Sequence, residues 1–176
     1  VVVQFDKDGV QYQRKYFISY PDSVMVMKFT ANQSGKQNLI LSYCPNSEAK
    51  SNLRADGKDG LVYTGVLDNN GMKFAFRIKA IHKGGTLEAE NDRLIVKGAD
   101  EVVFLLTADT DYKMNFNPDF KDPKTYVGND PEQTTRIMMD QAVQKGYDEL
   151  YRNHEADHTA LFGRTQLELN PDQEGG

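Results

Sequence analysis

The chain has 176 residues, of which 39% are apolar and 27% are charged, and its formal net charge is −5. This length and balance indicate one folded domain with at most an appendage, and they exclude a disordered chain. The acidic charge and the lack of any basic run argue against a nucleic-acid or anionic-membrane partner, which would require a clustered basic surface. No apolar stretch approaches the roughly 20 residues needed to span a bilayer.

The cysteine content and the first residues bear on the cellular context of the chain. Cys44 is the single cysteine, so no internal disulfide can form and the redox compartment is left open. The chain starts with VVVQFDKDGV, which has no methionine and no charged-then-apolar leader and resembles the middle of a strand. We therefore expect a piece of a longer polypeptide, whose own role differs from that of its parent.

Residues 1–110 are predicted to form a mainly β structure, an antiparallel β-sandwich, because short alternating strands are separated by closely spaced turn signals. Two early segments, VQYQRKYFIS and SVMVMKFTA, show this alternation. Their apolar faces consist of Val10, Tyr12, Tyr16 and Ile18 in the first and of Met25, Met27, Phe29 and Ala31 in the second.

The strongest local signal in this region is a hairpin. Asp68-Asn69-Asn70-Gly71 lies between two strand-like runs, and these residue types tolerate the positive φ of a tight turn. Further turns are predicted at Gly84-Gly85 and Asn91-Asp92, on either side of a short strand near Thr86 to Ala89. The strands RLIVKG and EVVFLLTA then complete the β-region.

The character of the chain changes after the β-region. Residues 111–130 form a Pro- and Asn-rich loop, longer than compact domains usually retain without a purpose. Residues 163–176 are predicted to form one more short strand and a disordered tail.

A helical linker is predicted between them, over residues 131–162. Asp130 is placed as its N-cap, Pro131 at the first helical position and Gln133 in a capping box. An apolar stripe at spacings of three and four indicates one long helix, or two helices joined near Gly146. The stripe contains Met139, Val143, Tyr147, Leu150, His154, His158 and Leu161.

The segment HEADH, at residues 154–158, spells the H-E-x-x-H motif of zinc peptidases. On a helix, His154 and His158 would provide two ligands on one face, with Glu155 as the general base. The remaining donors are distant or acidic: His82 upstream, and Glu168, Asp172 and Glu174 downstream. Because both histidines lie on the apolar stripe, we favour packing and hydrogen bonding over a metal site, and we predict neither a metal nor a cofactor.

Aromatic residues of the long loop are candidates for stacking on a sugar, because the apolar face of a sugar packs well on a flat ring. Tyr112 and Tyr126 are the weak candidates, and they support the alternative of a free-standing carbohydrate-binding or adhesion module. The chain has no Trp, which such modules often use. Asp109, Asp111 and Asp119 lie near the same loop and could bind a cation or a sugar, but a solvated surface is the simpler interpretation.

Several spaced motifs resemble the amino-terminal β-domain of glycoside hydrolase family 95, the α-L-fucosidase family. The segment GVQYQRKYFISYPDSVMVMKFTA is similar to its strand pair dG-x-x-Y-x-R-x-x-F-x-S-x-P-d-x-V, and LIVKGADEVVFLLTADTDY is similar to a late strand. The segment YDELYRNHEADHTALFGRTQLEL resembles the helix Y-x-x-L-x-x-x-H-x-x-D-[YH]-x-x-L-F-x-R. The matching residues are Gly9, Tyr12, Arg14, Phe17, Ser19, Pro21 and Val24, and Tyr147, Leu150, His154, Asp157, Leu161, Phe162 and Arg164.

The resemblance implies an amino-terminal β-supersandwich, a helical linker and an α/α barrel that hydrolyses α-L-fucosidic bonds with inversion. The resemblance begins in the middle of the β-domain, so we expect this chain to be the second half of that domain with the start of the linker. None of the barrel is recognisable in this chain, so no catalytic residue is assigned and the chain alone is expected to be inactive. Its expected partners are the catalytic barrel of the same parent and, through it, a fucosylated glycan. Family habit places the parent in the periplasm, on the cell surface or outside the cell.

The same resemblance changes the interpretation of HEADH. His154 and Asp157 belong to the H-x-x-D pattern of the helix, while Glu155 and His158 complete the zinc spelling beside them. We therefore expect His154, Asp157, Phe162 and Arg164 to lie at an interdomain junction.

Overall fold

The computed structural model describes residues 1–43, 49–90, 92–113 and 128–166. These residues form ten β-strands and one helical segment. The strands are β1 (Val2–Lys7), β2 (Val10–Ser19), β3 (Val24–Ala31), β4 (Gln37–Ser42), β5 (Ala49–Ala55), β6 (Gly60–Leu67), β7 (Lys73–Lys83), β8 (Thr86–Ala89), β9 (Arg93–Ala99) and β10 (Glu101–Thr110). The helix is α1 (Pro131–Phe162).

The strands form two antiparallel sheets of unequal size. The larger sheet has seven strands in the order β1-β2-β3-β10-β7-β6-β5, and the smaller has three in the order β4-β9-β8. The prediction of a mainly β chain, an antiparallel sandwich followed by a helical segment, is confirmed.

The larger sheet is the middle layer, and its central strand β10 is buried on both faces. Val103 and Leu105 belong to a core under α1, and Val102 and Phe104 to a core under the smaller sheet. Because successive side chains of a strand point to opposite faces, one strand supplies both cores. An alternation of apolar and polar residues is therefore replaced here by the continuous apolar run VVFLL.

The predicted hairpin at Asp68-Asn69-Asn70-Gly71 is confirmed, since it joins β6 to β7. The Leu67 N–H donates to Met72 O at 2.9 Å, and Gly71 takes a φ of 76°.

The end of β2 differs from a simple alternating core strand. Phe17 is buried against α1 while Ile18, on the opposite side, is exposed, because only one face of β2 is covered at this end.

The helical segment α1 starts at the N-cap residue and the proline that the sequence predicts. Asp130 is its N-cap, and the Asp130 side chain accepts a hydrogen bond of 3.2 Å from the Glu132 N–H. Gly146 has φ 74° and ψ 169°, which is not helical. The segment is therefore two helices joined at Gly146, a first half over 131–145 and a second half over 147–162. Of the two predicted alternatives, one long helix or two joined helices, the second is confirmed.

Some predictions fall on residues outside the described part of the chain. These are Asn91, residues 114–127 of the long loop and residues 167–176 of the tail. Among the described residues, no helix combines the length and the apolar character needed to cross a lipid bilayer.

Candidate functional site

The second half of α1 is held to the sheet by aromatic contacts around Phe17 of β2. The Phe17 ring lies 5.9 Å from the ring of Tyr147 and 5.5 Å from that of Tyr151, both edge-on. The His154 imidazole stacks on Phe17 at 5.0 Å, with 27° between the ring planes. His154 is therefore half-buried against an aromatic ring, on the side of the helix that faces the sheet.

An apolar groove of about 420 Å³ lies between the end of β2 and the last turns of α1. Two of its aromatic side chains are largely in solvent, Tyr20 at 83% exposure and Phe162 at 73%. We call this region the helix-end surface, and it consists of Ile18, Tyr20, His154, Asp157, His158, Leu161 and Phe162. Large exposed apolar patches mark interaction sites in soluble proteins, and the helix-end surface is the candidate for such a site here.

The helix-end surface continues the aromatic row that begins at Phe17. The rings of His154 and His158 are 5.7 Å apart, and those of His158 and Phe162 are stacked at 5.6 Å. These residues are four apart along the helix and therefore lie on one face. The row leads from a buried contact to an exposed phenyl ring.

The zinc hypothesis requires a third ligand close to His154 and His158. The described part of the chain contains no group of three or more His, Cys, Asp or Glu residues that could hold a metal ion. His82 lies near the end of β7, and its Nδ1 is 2.7 Å from Gly84 O in the turn that follows. The acidic candidates Glu168, Asp172 and Glu174 lie outside the described residues.

A buried carboxylate next to the helix-end surface was not singled out from the sequence. Asp22, in the turn between β2 and β3, accepts hydrogen bonds from Ser19 Oγ, from Lys145 Nζ at 2.6 Å and from Asn153 Nδ2 at 3.1 Å. Burial raises the pKa of Asp22, but the hydrogen bonds from Lys145, Ser19 and Asn153 outweigh burial and lower its pKa below the ordinary value. We call Ser19, Asp22, Lys145 and Asn153 the Asp22 cluster.

The structure brings together some of the site residues predicted from the sequence. His154, Asp157 and Phe162 line the groove, and Arg164 follows it on the exposed end of the chain segment. Tyr112, one of the two sugar-stacking candidates, is exposed after β10 and does not line the groove. Tyr126, the other candidate, lies outside the described residues.

Two curated proteins align with nearly the whole chain. A protein of Aspergillus niger named "Probable alpha-fucosidase A" is 27% identical to this chain over 181 residues. The alignment covers 97% of this chain and 22% of that protein. Alpha-L-fucosidase 2 of Arabidopsis thaliana is 26% identical over 192 residues, covering 96% of this chain and 22% of that protein. The chain thus spans about a fifth of the length of these curated relatives.

The fold is also found in a solved structure from the human microbiome that carries the provisional name kojibiose phosphorylase. The TM-score is 0.56 at 5% sequence identity, covering 92% of this chain and 23% of that one. At this identity the likeness concerns the fold alone.

A family model identifies the β-region directly. Residues 1–115, which hold all ten described strands, match the model described as glycosyl hydrolase family 65, N-terminal domain. The prediction of an amino-terminal sandwich domain of a glycoside hydrolase-like enzyme is therefore confirmed. The chain belongs to the family of glycosyl hydrolase family 65 N-terminal domains.

Proposed function

We propose that this chain is a non-catalytic domain of a family 95 α-L-fucosidase and that it supports a catalytic α/α barrel of the same polypeptide. The observation that carries the proposal is the alignment with two fucosidases, over 97% and 96% of this chain but only 22% of each relative. A chain that corresponds to about a fifth of each relative leaves room in a longer parent for a separate catalytic domain. The motif matches to the family 95 strand pair and helix support the choice of family.

The helix-end surface is the part of the chain that we assign to this contact. It presents the exposed rings of Tyr20 and Phe162 beside Leu161 and Ile18, and covering them would remove apolar area from water. Polar groups at its border, Asp157 and Arg164, can bond to the partner. Contacts between domains of one chain commonly combine an apolar centre with such a polar border.

The chemistry of the parent belongs to the barrel in this proposal. A carboxylic acid protonates the leaving oxygen and a second carboxylate activates water, so that an α-L-fucoside is cleaved with inversion. This chain contributes support for the barrel and no reacting group. A fucosylated glycan is the proposed substrate of the parent, and the periplasm, the cell surface or the medium is its proposed location.

The proposal is tested with the chain of 176 residues and with the longer parent protein that we propose contains it. With an aryl α-L-fucoside, we expect no turnover by the chain and release of fucose by the longer protein. Proton NMR of the early product should show the β-anomer, as inversion requires. Turnover by the chain alone would refute the non-catalytic role, whereas cleavage of another glycoside by the longer protein would refute the fucose assignment only.

A further inference from the structure

The bend in α1 depends on a backbone conformation that is almost exclusive to glycine. Gly146 has φ 74° and ψ 169°, a combination that other residues adopt only under strain. A Cβ built on Gly146 would meet no atom within 4 Å. Glycine is therefore needed here for its backbone freedom and not for lack of space, and the bend itself must be held by contacts elsewhere.

The Asp22 cluster supplies contacts on both sides of this bend. Lys145, directly before Gly146, donates to Asp22 Oδ1 at 2.6 Å. Asn153, in the second half of α1, donates to both carboxylate oxygens, at 3.1 Å and 3.2 Å. One side chain from the sheet thus binds both halves of the helix.

The carboxylate is itself rigidly placed. Ser19 Oγ donates to it from the end of β2, and the turn is closed by a hydrogen bond of 3.2 Å from the Ser23 N–H to Tyr20 O. The Asp22 side chain is only 2% exposed. The Lys145 side chain is 37% exposed, so its ion pair is partly screened by water, whereas the bonds from Ser19 and Asn153 are partly buried. Hydrogen bonds to a charged carboxylate strengthen as water is removed, so the Ser19 and Asn153 contacts fix the turn and the second half of α1 more firmly than an exposed ion pair would.

The two halves of α1 differ in how much other packing holds them. Of the five buried residues of the helix, Pro131, Thr135, Met139 and Ala142 lie in the first half and only Leu150 in the second. The first half is also tied to the sheet by Thr107 Oγ1, which donates to Thr135 O at 3.0 Å. The second half otherwise keeps Leu150 and the ring contacts of Phe17, so loss of the Asp22 cluster should loosen it while the first half stays in place.

We propose that Asp22 is a positioning residue, which fixes the second half of α1 against the sheet and so sets the direction in which the helix-end surface is presented. The positioning role is carried by the hydrogen bonds described above. Only its purpose, to present a surface for the catalytic domain, rests on the proposed function.

Hydrogen–deuterium exchange of the 176-residue chain, followed by mass spectrometry, tests the positioning role. In Asp22→Ala we expect amides of residues 147–162 to exchange at least about tenfold faster, because the second half opens locally. Asp22→Asn, which retains one oxygen acceptor, should give a smaller increase. Amides of residues 131–145 and of β10 should exchange as in the unsubstituted chain.

Glu132→Gln is the matched control, because it removes another ion pair of α1, that between Glu132 and Arg54 at the helix start. This control should leave exchange in residues 147–162 unchanged. The proposal is overturned if Asp22→Ala leaves these amides equally protected. It is also overturned if all regions accelerate equally, since Asp22 would then support the fold as a whole.

Asn153→Ala provides a second route if Asp22→Ala does not fold. This substitution removes only the contact to the second half, so faster exchange confined to residues 147–162 is expected, and unchanged exchange there would overturn the proposal. None of these measurements depends on glycosidase activity. Unchanged exchange in residues 147–162 therefore refutes the positioning role of Asp22 and leaves the proposed function standing. A longer protein without fucosidase activity refutes the proposed function and leaves the positioning role standing.

Discussion

Arg77 of β7 carries a buried charge that depends on one partner. Its side chain is 3% exposed and pairs with Asp56, whose side chain is 31% exposed. Within the described part of the chain, Arg77 Nε and Nη2 have no hydrogen-bond partner. We expect Asp56→Ala to lower the free energy of unfolding by roughly 3 kcal/mol, measured by urea denaturation at neutral pH, because it leaves a buried guanidinium unpaired.

Asp59→Ala is the control for this prediction. Asp59 pairs with Lys79 at 3.2 Å, and both side chains are more accessible to solvent than Arg77, so a loss of about 1 kcal/mol or less is expected. Adding Arg77→Met to Asp56→Ala should recover part of the lost stability, since the unpaired charge is then gone. Equal losses in the two single variants would contradict the assignment of Asp56 as the partner that matters.

Neither Arg77 nor Asp22 could be found from the sequence. Asp22 follows Pro21, a pair typical of a turn, while its partners Lys145 and Asn153 lie in the helix, more than a hundred residues later. Local patterns show which residues form a turn, but not which distant side chains reach it. His154 was predictable in part, because the apolar stripe placed it on the packed face of the helix where it stacks on Phe17.

The helical bend gives a prediction at the level of one element. Because Gly146 adopts φ 74° and ψ 169°, we expect Gly146→Ala to destabilise the chain by about 1 to 3 kcal/mol, the usual strain at such a position. Thermal unfolding followed by circular dichroism measures the change. Gln144→Ala, on the exposed side of the same helix, should stay within about 0.5 kcal/mol; if Gly146→Ala is as mild, the bend is not a fixed feature of the helix.

At the same scale, most strands were predictable because apolar residues alternate between clear turn signals. β5 (Ala49–Ala55) was missed, since its sequence AKSNLRA shows little apolar alternation and its place depends on pairing with β6 at the edge of the sheet. The Gly84-Gly85 turn was predicted, but not that it leads from the larger sheet to the smaller. A Cβ on Gly85 would lie 2.2 Å from Lys97 O, so the crossing requires glycine.

For the molecule as a whole, composition and strand pattern sufficed for an antiparallel sandwich with a helical segment, and the motif order sufficed for a glycoside hydrolase domain. The layering was not predictable, because the assignment of strands to two unequal sheets is decided by contacts far apart in the chain. For the same reason, no pattern in the sequence indicates that Ile18 and Tyr20 near the end of β2 join His158 and Phe162 of α1 in one surface. The resemblance pointed to the helical side of that surface only.

The role of the helix-end surface can be tested by comparing one substitution in two proteins. Phe162→Ser should change the unfolding free energy of the 176-residue chain by no more than about 0.5 kcal/mol, because Phe162 is 73% exposed there. In the longer protein, where we propose that the catalytic domain covers this ring, the same change should cost about 1.5 to 3 kcal/mol of lost apolar burial. Urea unfolding of both proteins measures the two values.

Ile137→Ser is the matched control, since Ile137 is 51% exposed on the first half of α1 and lies outside the helix-end surface. It should have a small effect in both proteins, because no partner is proposed for that position. A large loss for Phe162→Ser that appears only in the longer protein locates the domain contact at the end of α1. If both substitutions are equally mild in the longer protein, the catalytic domain packs elsewhere, and the exposed row from His158 to Phe162 needs another partner.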